Sequence, residues 1–166
     1  MMDFDWSRFR VKIPVKADLE TLYRCWSTRG GMERWFLRAC EYRRPDGTLL
    51  KDDEPVSVGD TYKWRWHGYS DEDTEHGTIL ETNGKDLFRF SFGKAGNCTV
   101  RLYEEEGEHI VELVQENIPT DESGKVYYHM GCKNGWTFHM TDMKSILEGG
   151  VDLRNRNLNL KGVANS

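Results

Sequence analysis

The residues able to carry acid–base chemistry in this sequence are few and scattered. Glu81, Glu112 and Gln115 fall in strand-like segments. Any carboxylate among them that turns inward loses water, gains a raised pKa and becomes able to act as a general acid or base. Val111, Leu113 and Gln115 share one face of their segment and Ile110, Glu112 and Val114 the other. Both faces are largely apolar, so the alternation leaves open which is buried, and Gln115 is the residue we place in a pocket as its polar group. His139 lies on the apolar face of a helical pattern with Trp136 and Met143, where an imidazole is either a hydrogen-bonded core residue or a base. His76, His109 and His129 stand at element edges and read as solvated.

Nucleophiles and metal ligands are no better assembled. Cys25, Cys40, Cys98 and Cys132 are widely separated, without CxxC or Cys/His ligand spacing. They read as reduced, mostly buried small hydrophobes. There is no GxSxG, phosphate loop, dinucleotide fingerprint or HExxH. No catalytic residue, metal or cofactor is expected.

Charge narrows the partners. The net charge of −5 sets a field that repels phosphate backbones and anionic lipid headgroups, disfavouring nucleic-acid and membrane-surface roles. No apolar run approaches the roughly 18 residues of a spanning helix, and MMDFDWSRFR has neither the apolar stretch nor the small-residue site of a secretory leader. A cytoplasmic protein without membrane insertion is expected.

The stretch Tyr62-Lys-Trp-Arg-Trp-His-Gly-Tyr69 interleaves aromatics with cations. On a strand, Tyr62, Trp64 and Trp66 point one way and Lys63, Arg65 and His67 the other. A single-stranded nucleic acid needs rings and cations on the same face, and the acidic run Ser70–Glu75 follows at once. The rings therefore face a core or a ligand.

The elements that position these residues follow from periodicity and turn signals. Phe9–Ile13 reads as a strand ending at Pro14, and Leu19, Leu22, Tyr23 and Trp26 mark a one-faced helix. Thr28-Arg-Gly-Gly31 reads as a break before a short helical piece, Met32–Phe36. Six strands are expected over 38–43, 60–69, 76–82, 86–92, 97–104 and 109–117, joined by short turns as an antiparallel meander. A long helix follows, capped by Asp121 or Ser123 and ended by Gly149-Gly150. One apolar face on the sheet and one on that helix must meet, giving an α+β domain spanning 1–166 with a core over about 6–150. Residues 151–166 read as an extended tail, in which Arg154 pairs at the surface.

Trp26 with Glu33-Arg-Trp-Phe36, Gly77-Thr-Ile-Leu-Glu81, Phe88-Arg-Phe-Ser-Phe92, and Gly135-Trp136 trailed by Lys144-Ser-Ile-Leu-Glu-Gly-Gly150 resemble the family named after the activator of heat shock protein 90 ATPase. That family is part of the START-like (SRPBCC, helix-grip) superfamily. The resemblance runs from about Phe9 to Arg154 and implies a curved seven-stranded antiparallel sheet around a long C-terminal helix. It also implies two short helices after the first strand, and a cavity that superfamily members use for apolar ligands. The founding co-chaperones carry a separate N-terminal chaperone-docking domain. This sequence starts within a few residues of its first strand, so chaperone ATPase activation is not expected of it.

Gly131 and Gly135 fall on the apolar face of the long helix, each costing about 1 kcal/mol of helix propensity relative to Ala. Either close packing or a pocket needs that space. The pocket is expected between Trp64, Trp66, Phe88, Phe90, Trp136 and Met140, with Gln115 and His139 as polar members. Three readings stand: a non-catalytic domain holding a small apolar or amphipathic molecule; a cyclase- or dehydratase-type enzyme in the same cavity; and a stress-linked module binding a protein partner through the sheet's outer face or the short helices, around Trp35-Phe36.

Overall fold

Alternating side chains become seven strands of one antiparallel sheet in this computed structural model, which describes residues 2–164. Met1, and Asn165 and Ser166 of the expected tail, lie outside the described residues. The strands are β1 (Phe9–Pro14), β2 (Ala39–Arg43), β3 (Thr61–Arg65), β4 (Thr74–Thr82), β5 (Leu87–Ser91), β6 (Asn97–Glu105) and β7 (Glu108–Glu116). Their spatial order is β1-β7-β6-β5-β4-β3-β2, so the expected meander is present and β1 closes onto the last strand. The tightest hairpin joins β6 to β7 through Glu106 and Gly107, whose φ angles of 49° and 79° match the twist of the strands they connect. The curved sheet grips the C-terminal helix, as the resemblance implies.

Between β1 and β2 lie helices α1 (Leu19–Ser27) and α2 (Arg29–Trp35). Asp18 caps α1 by accepting from the Thr21 amide at 2.7 Å. The break between the helices is Thr28 alone, extended at φ −125° and ψ 154°, with Oγ1 accepting from the Gly31 amide at 3.0 Å. The expectation that Gly30 and Gly31 interrupt the helices is corrected, because both lie inside α2. A Cβ on Gly31 would stand 1.9 Å from the Arg24 carbonyl oxygen. Gly31 thus lets the two helices touch backbone to backbone, while Gly30 lies against the Asp52 carbonyl.

The long helix begins where Asp121 Oδ1 accepts from the Gly124 amide at 2.7 Å. Gly124–Met130 is π-helical and continues without interruption into α3 (Gly131–Leu147). It ends as anticipated: Gly149 takes φ 83° and the Gly150 amide donates to the Ser145 carbonyl at 2.7 Å. No described helix is long and apolar enough to cross a membrane.

The core lies between sheet and α3. Tyr62, Trp64, Phe88, Phe90, Val111 and Leu113 from the strands meet Trp136, Met140 and Met143 from the helix. The open question of β7 is settled in favour of the Val111, Leu113 and Gln115 face. Trp26, Trp35 and Trp64 are wholly buried; each contributes an upper estimate of about 4–6 kcal/mol of apolar burial.

Two surface assignments are overturned. Arg154 is a buried pin rather than a surface partner, its side chain 4% exposed. It donates to the carbonyls of Glu33, Arg34 and Leu37 at 3.0, 2.9 and 3.1 Å, which are acceptors left at the C-terminal end of α2. It also meets Asp152 at 2.9 Å and the fully buried Asp142 at 3.4 Å. The tail is thereby bolted onto α2 and α3. His129 is likewise buried, its Nε2 3.0 Å from the Arg8 carbonyl and its ring edged by Phe4, Trp6 and Phe9. His109 is half-buried against the Ala17 carbonyl, and His76 is exposed.

Candidate functional site

Gly131 and Gly135 carry no side chains, and a cleft of about 310 Å³ lies beside them and Trp136. Its wall is a run of four rings from four places in the chain. Trp66, just beyond β3, lies 5.8 Å from Phe36 at the end of α2; Phe36 lies 4.9 Å from Trp136 on α3; Trp136 lies 5.6 Å from Phe92, just beyond β5. Tyr127, Gly131, Cys132, Gly135 and His139 complete the lining. Tyr127 is 68% exposed and forms the rim. A nearest contact of 3.4 Å for a Cβ on Gly131, to the Val126 carbonyl, leaves room for a side chain at that position.

Of the ten residues expected at a ligand site, Trp66, Gly131, Gly135, Trp136 and His139 line this cleft. Trp64, Phe88, Phe90 and Met140 are 0–1% exposed and pack into one another, with Trp64 and Phe88 each about 5 Å from Phe90 (5.2 and 5.5 Å). Their placement as pocket walls is corrected: the large rings fill the space directly between sheet and helix, so the vacancy lies at its end. Gln115 is corrected in the same way. Its Oε1 accepts from Trp136 Nε1 at 2.9 Å and from Cys98 Sγ at 3.4 Å, while Nε2 donates to the Ala95 carbonyl at 3.0 Å. It is a buried polar junction that holds the Trp136 indole as the cleft's floor.

The carboxylates singled out for acid–base work turn elsewhere. Glu81 is exposed, and Glu112 accepts from the Tyr103 hydroxyl at 2.9 Å on the outer face. His139 is 4% exposed, with its ring 5.0 Å from that of Phe36. The cysteines are free; Cys132 is the one that is only partly buried, and burial holds its thiol above the usual range.

Sequence reasoning missed Phe36, Phe92, Tyr127 and Cys132, and also Glu75. The strand expected from His76 begins at Thr74. Extending the alternation Ile79, Gly77 backwards by one step puts Glu75 on the core side. Phe92 was legible in the same way, as the next inward position after Phe88 and Phe90. A larger hollow of about 630 Å³ lies among Glu41, Arg43, Lys63 and His76. It lies on the outer sheet face and lacks the ring wall.

Solved structures share the architecture. Protein SSP2350 from Staphylococcus saprophyticus is similar with a TM-score of 0.68 and 20% identity, over 89% of this chain and 96% of that one. The Aha1 dimer from Colwellia psychrerythraea gives 0.65 and 16%, over 86% and 97%. DynU16, from the dynemicin biosynthetic locus, gives 0.64 and 18% over 90% of this chain, which spans 50% of that protein. No curated protein matches. The sequence pattern of Activator of Hsp90 ATPase homolog 1-like proteins matches residues 16–148. That span runs from just before the α1 cap to the end of α3 and takes in every ring of the cleft wall, so the chain belongs to the Activator of Hsp90 ATPase homolog 1-like family.

Proposed function

We propose that this protein is a cytoplasmic, non-catalytic binding domain that holds a small apolar or amphipathic molecule in the cleft between α3 and the end of the sheet. The observation that carries the reading is the continuous ring wall, Trp66 to Phe92, facing a helix whose side chains are removed at Gly131 and Gly135. Burying one aromatic group of a ligand in such a cleft removes about 150–250 Å² of that group's own surface from water. At about 25 cal/mol per Å² this is about 4–6 kcal/mol, or dissociation constants from about 1 mM to tens of micromolar before other groups add to it. The cleft is small but within the usual range of ligand sites.

The partner-protein reading loses the patch expected around Trp35 and Phe36, which are 0% and 2% exposed, and keeps the outer face of the sheet. The enzyme reading calls for two titratable groups converging on one bound molecule; Glu81 and Glu112 lie on other surfaces, and of the residues expected for that work only His139 lines the cleft.

Native mass spectrometry of freshly purified protein tests the proposal. A bound small molecule that organic extraction removes is expected, and Gly131→Leu, which fills the cleft, should lose it. A bare mass for the unextracted protein, together with Trp66 and Trp136 indole resonances unmoved by tert-butylbenzene, overturns it.

A further inference from the structure

We propose that the molecule taken by the cleft is an organic cation, an apolar group joined to a protonated or quaternary amine, with Glu75 as its counter-charge. This rests on reading the cleft as a ligand site. Glu75 lies opposite Trp64 in the β3–β4 register and shares the inward face of β4 with Gly77 and Ile79. The carboxylate is half-buried, and Oε1 reaches to 2.6 Å from where a Cβ on Gly93 would stand, immediately after Phe92. From there its charge is felt by the Cys132 thiol of the lining and by Tyr62. Among the described residues, no ion pair to Glu75 is present. Burial raises its pKa, only partly offset by the charge and backbone amide of neighbouring His76, the state of a carboxylate that has given up more water than its neighbours repay.

The rings supply the other half of the argument. The face of an aromatic ring is electronegative and attracts ammonium groups within about 6 Å of its centroid, tryptophan most strongly. Two of the four wall rings are tryptophans, and no Lys or Arg lines the cleft. A neutral ligand would leave Glu75 desolvated and uncompensated, and an anion would be repelled by it. The net charge of −5 draws cations toward the surface.

The test compares two isosteres, phenyltrimethylammonium and tert-butylbenzene, which differ in charge but not in shape. Titrations followed by the Trp66 and Trp136 indole resonances are expected to show at least tenfold tighter binding of the cation. Glu75→Gln should cut that preference at least threefold, leaving the share supplied by the rings, while the affinity for tert-butylbenzene stays within about twofold, which also shows that the variant is folded. Equal or tighter binding of tert-butylbenzene by the natural protein overturns the cation assignment and leaves the apolar site standing. A cation preference that survives undiminished in Glu75→Gln overturns the role of Glu75. Binding of neither isostere overturns the ligand reading itself.

Discussion

Replacing Arg154 by Ala should cost far more than loss of a tail residue ordinarily does. The guanidinium is 4% exposed, and its removal strips three carbonyls at the end of α2 of their donor and leaves the wholly buried Asp142 without its cation. Breaking a buried pair from one side costs about 3–5 kcal/mol. In a chain of this size that lowers Tm by about 6–20 °C. The loss should depend on pH with a definite sign. Burial pushes the Asp142 carboxyl up to about 6 from an ordinary value of 3.8, against the opposing field of Arg154. The folded state therefore holds this proton more tightly than the unfolded chain, and the group's contribution to stability declines as pH rises from about 4 to 6. At pH 5 the carboxyl is largely neutral and hardly needs the cation; at pH 8 it is ionised and stranded. Urea and thermal unfolding followed by circular dichroism should thus show a larger deficit for Arg154→Ala at pH 8 than at pH 5. Asp142→Asn introduced into that variant should recover at least about 1 kcal/mol at pH 8, a coupling that a double-mutant cycle isolates. A Tm within about 2 °C of the natural protein at pH 8, as for an exposed ion pair, or equal losses at both pH values, refutes the reasoning.

Two further substitutions separate stability from binding. Gly131→Leu should raise stability by about 0.5–1 kcal/mol through helix propensity, since a Cβ there meets only the Val126 carbonyl at 3.4 Å, while abolishing uptake of tert-butylbenzene; thermal unfolding and indole resonances read the two effects. Gln115→Leu should do the opposite. It leaves the Trp136 N–H and the Ala95 carbonyl unpaired in the core, for about 2–5 kcal/mol in urea unfolding, and frees the cleft floor to reorient.

Much of the architecture was legible because its signals are local. Period-two runs separated by turn residues marked all seven strands, and the alternation of Tyr62, Trp64 and Trp66 placed their rings inward before any neighbour was known. The site was legible only in part, because a vacancy is a difference between volumes. Trp64, Phe88, Phe90 and Met140 are as large and apolar as Trp66 and Phe36, and nothing in their types tells which will interlock and which will face the gap. Gln115 was ambiguous because β7 is apolar on both faces. Arg154 escaped because its partners are carbonyls set by where α2 stops, some 120 residues earlier, and the tail around it has no period. Glu75 was hidden in an acidic run whose composition resembles a loop, although two steps of alternation from Ile79 reach it.

The pairing of β1 with β7 bears on the order in which the molecule is made. Phe9 meets Gln115 and Ile13 meets Val111, so the earliest strand to leave the ribosome waits for the last. At about 5–20 residues per second the interval is roughly 5–20 s, long beside the microseconds in which hairpins form. The five hairpins from β2 to β7 are therefore assembled first, and docking of β1 seals an edge of the nascent sheet that until then lies open to any passing strand.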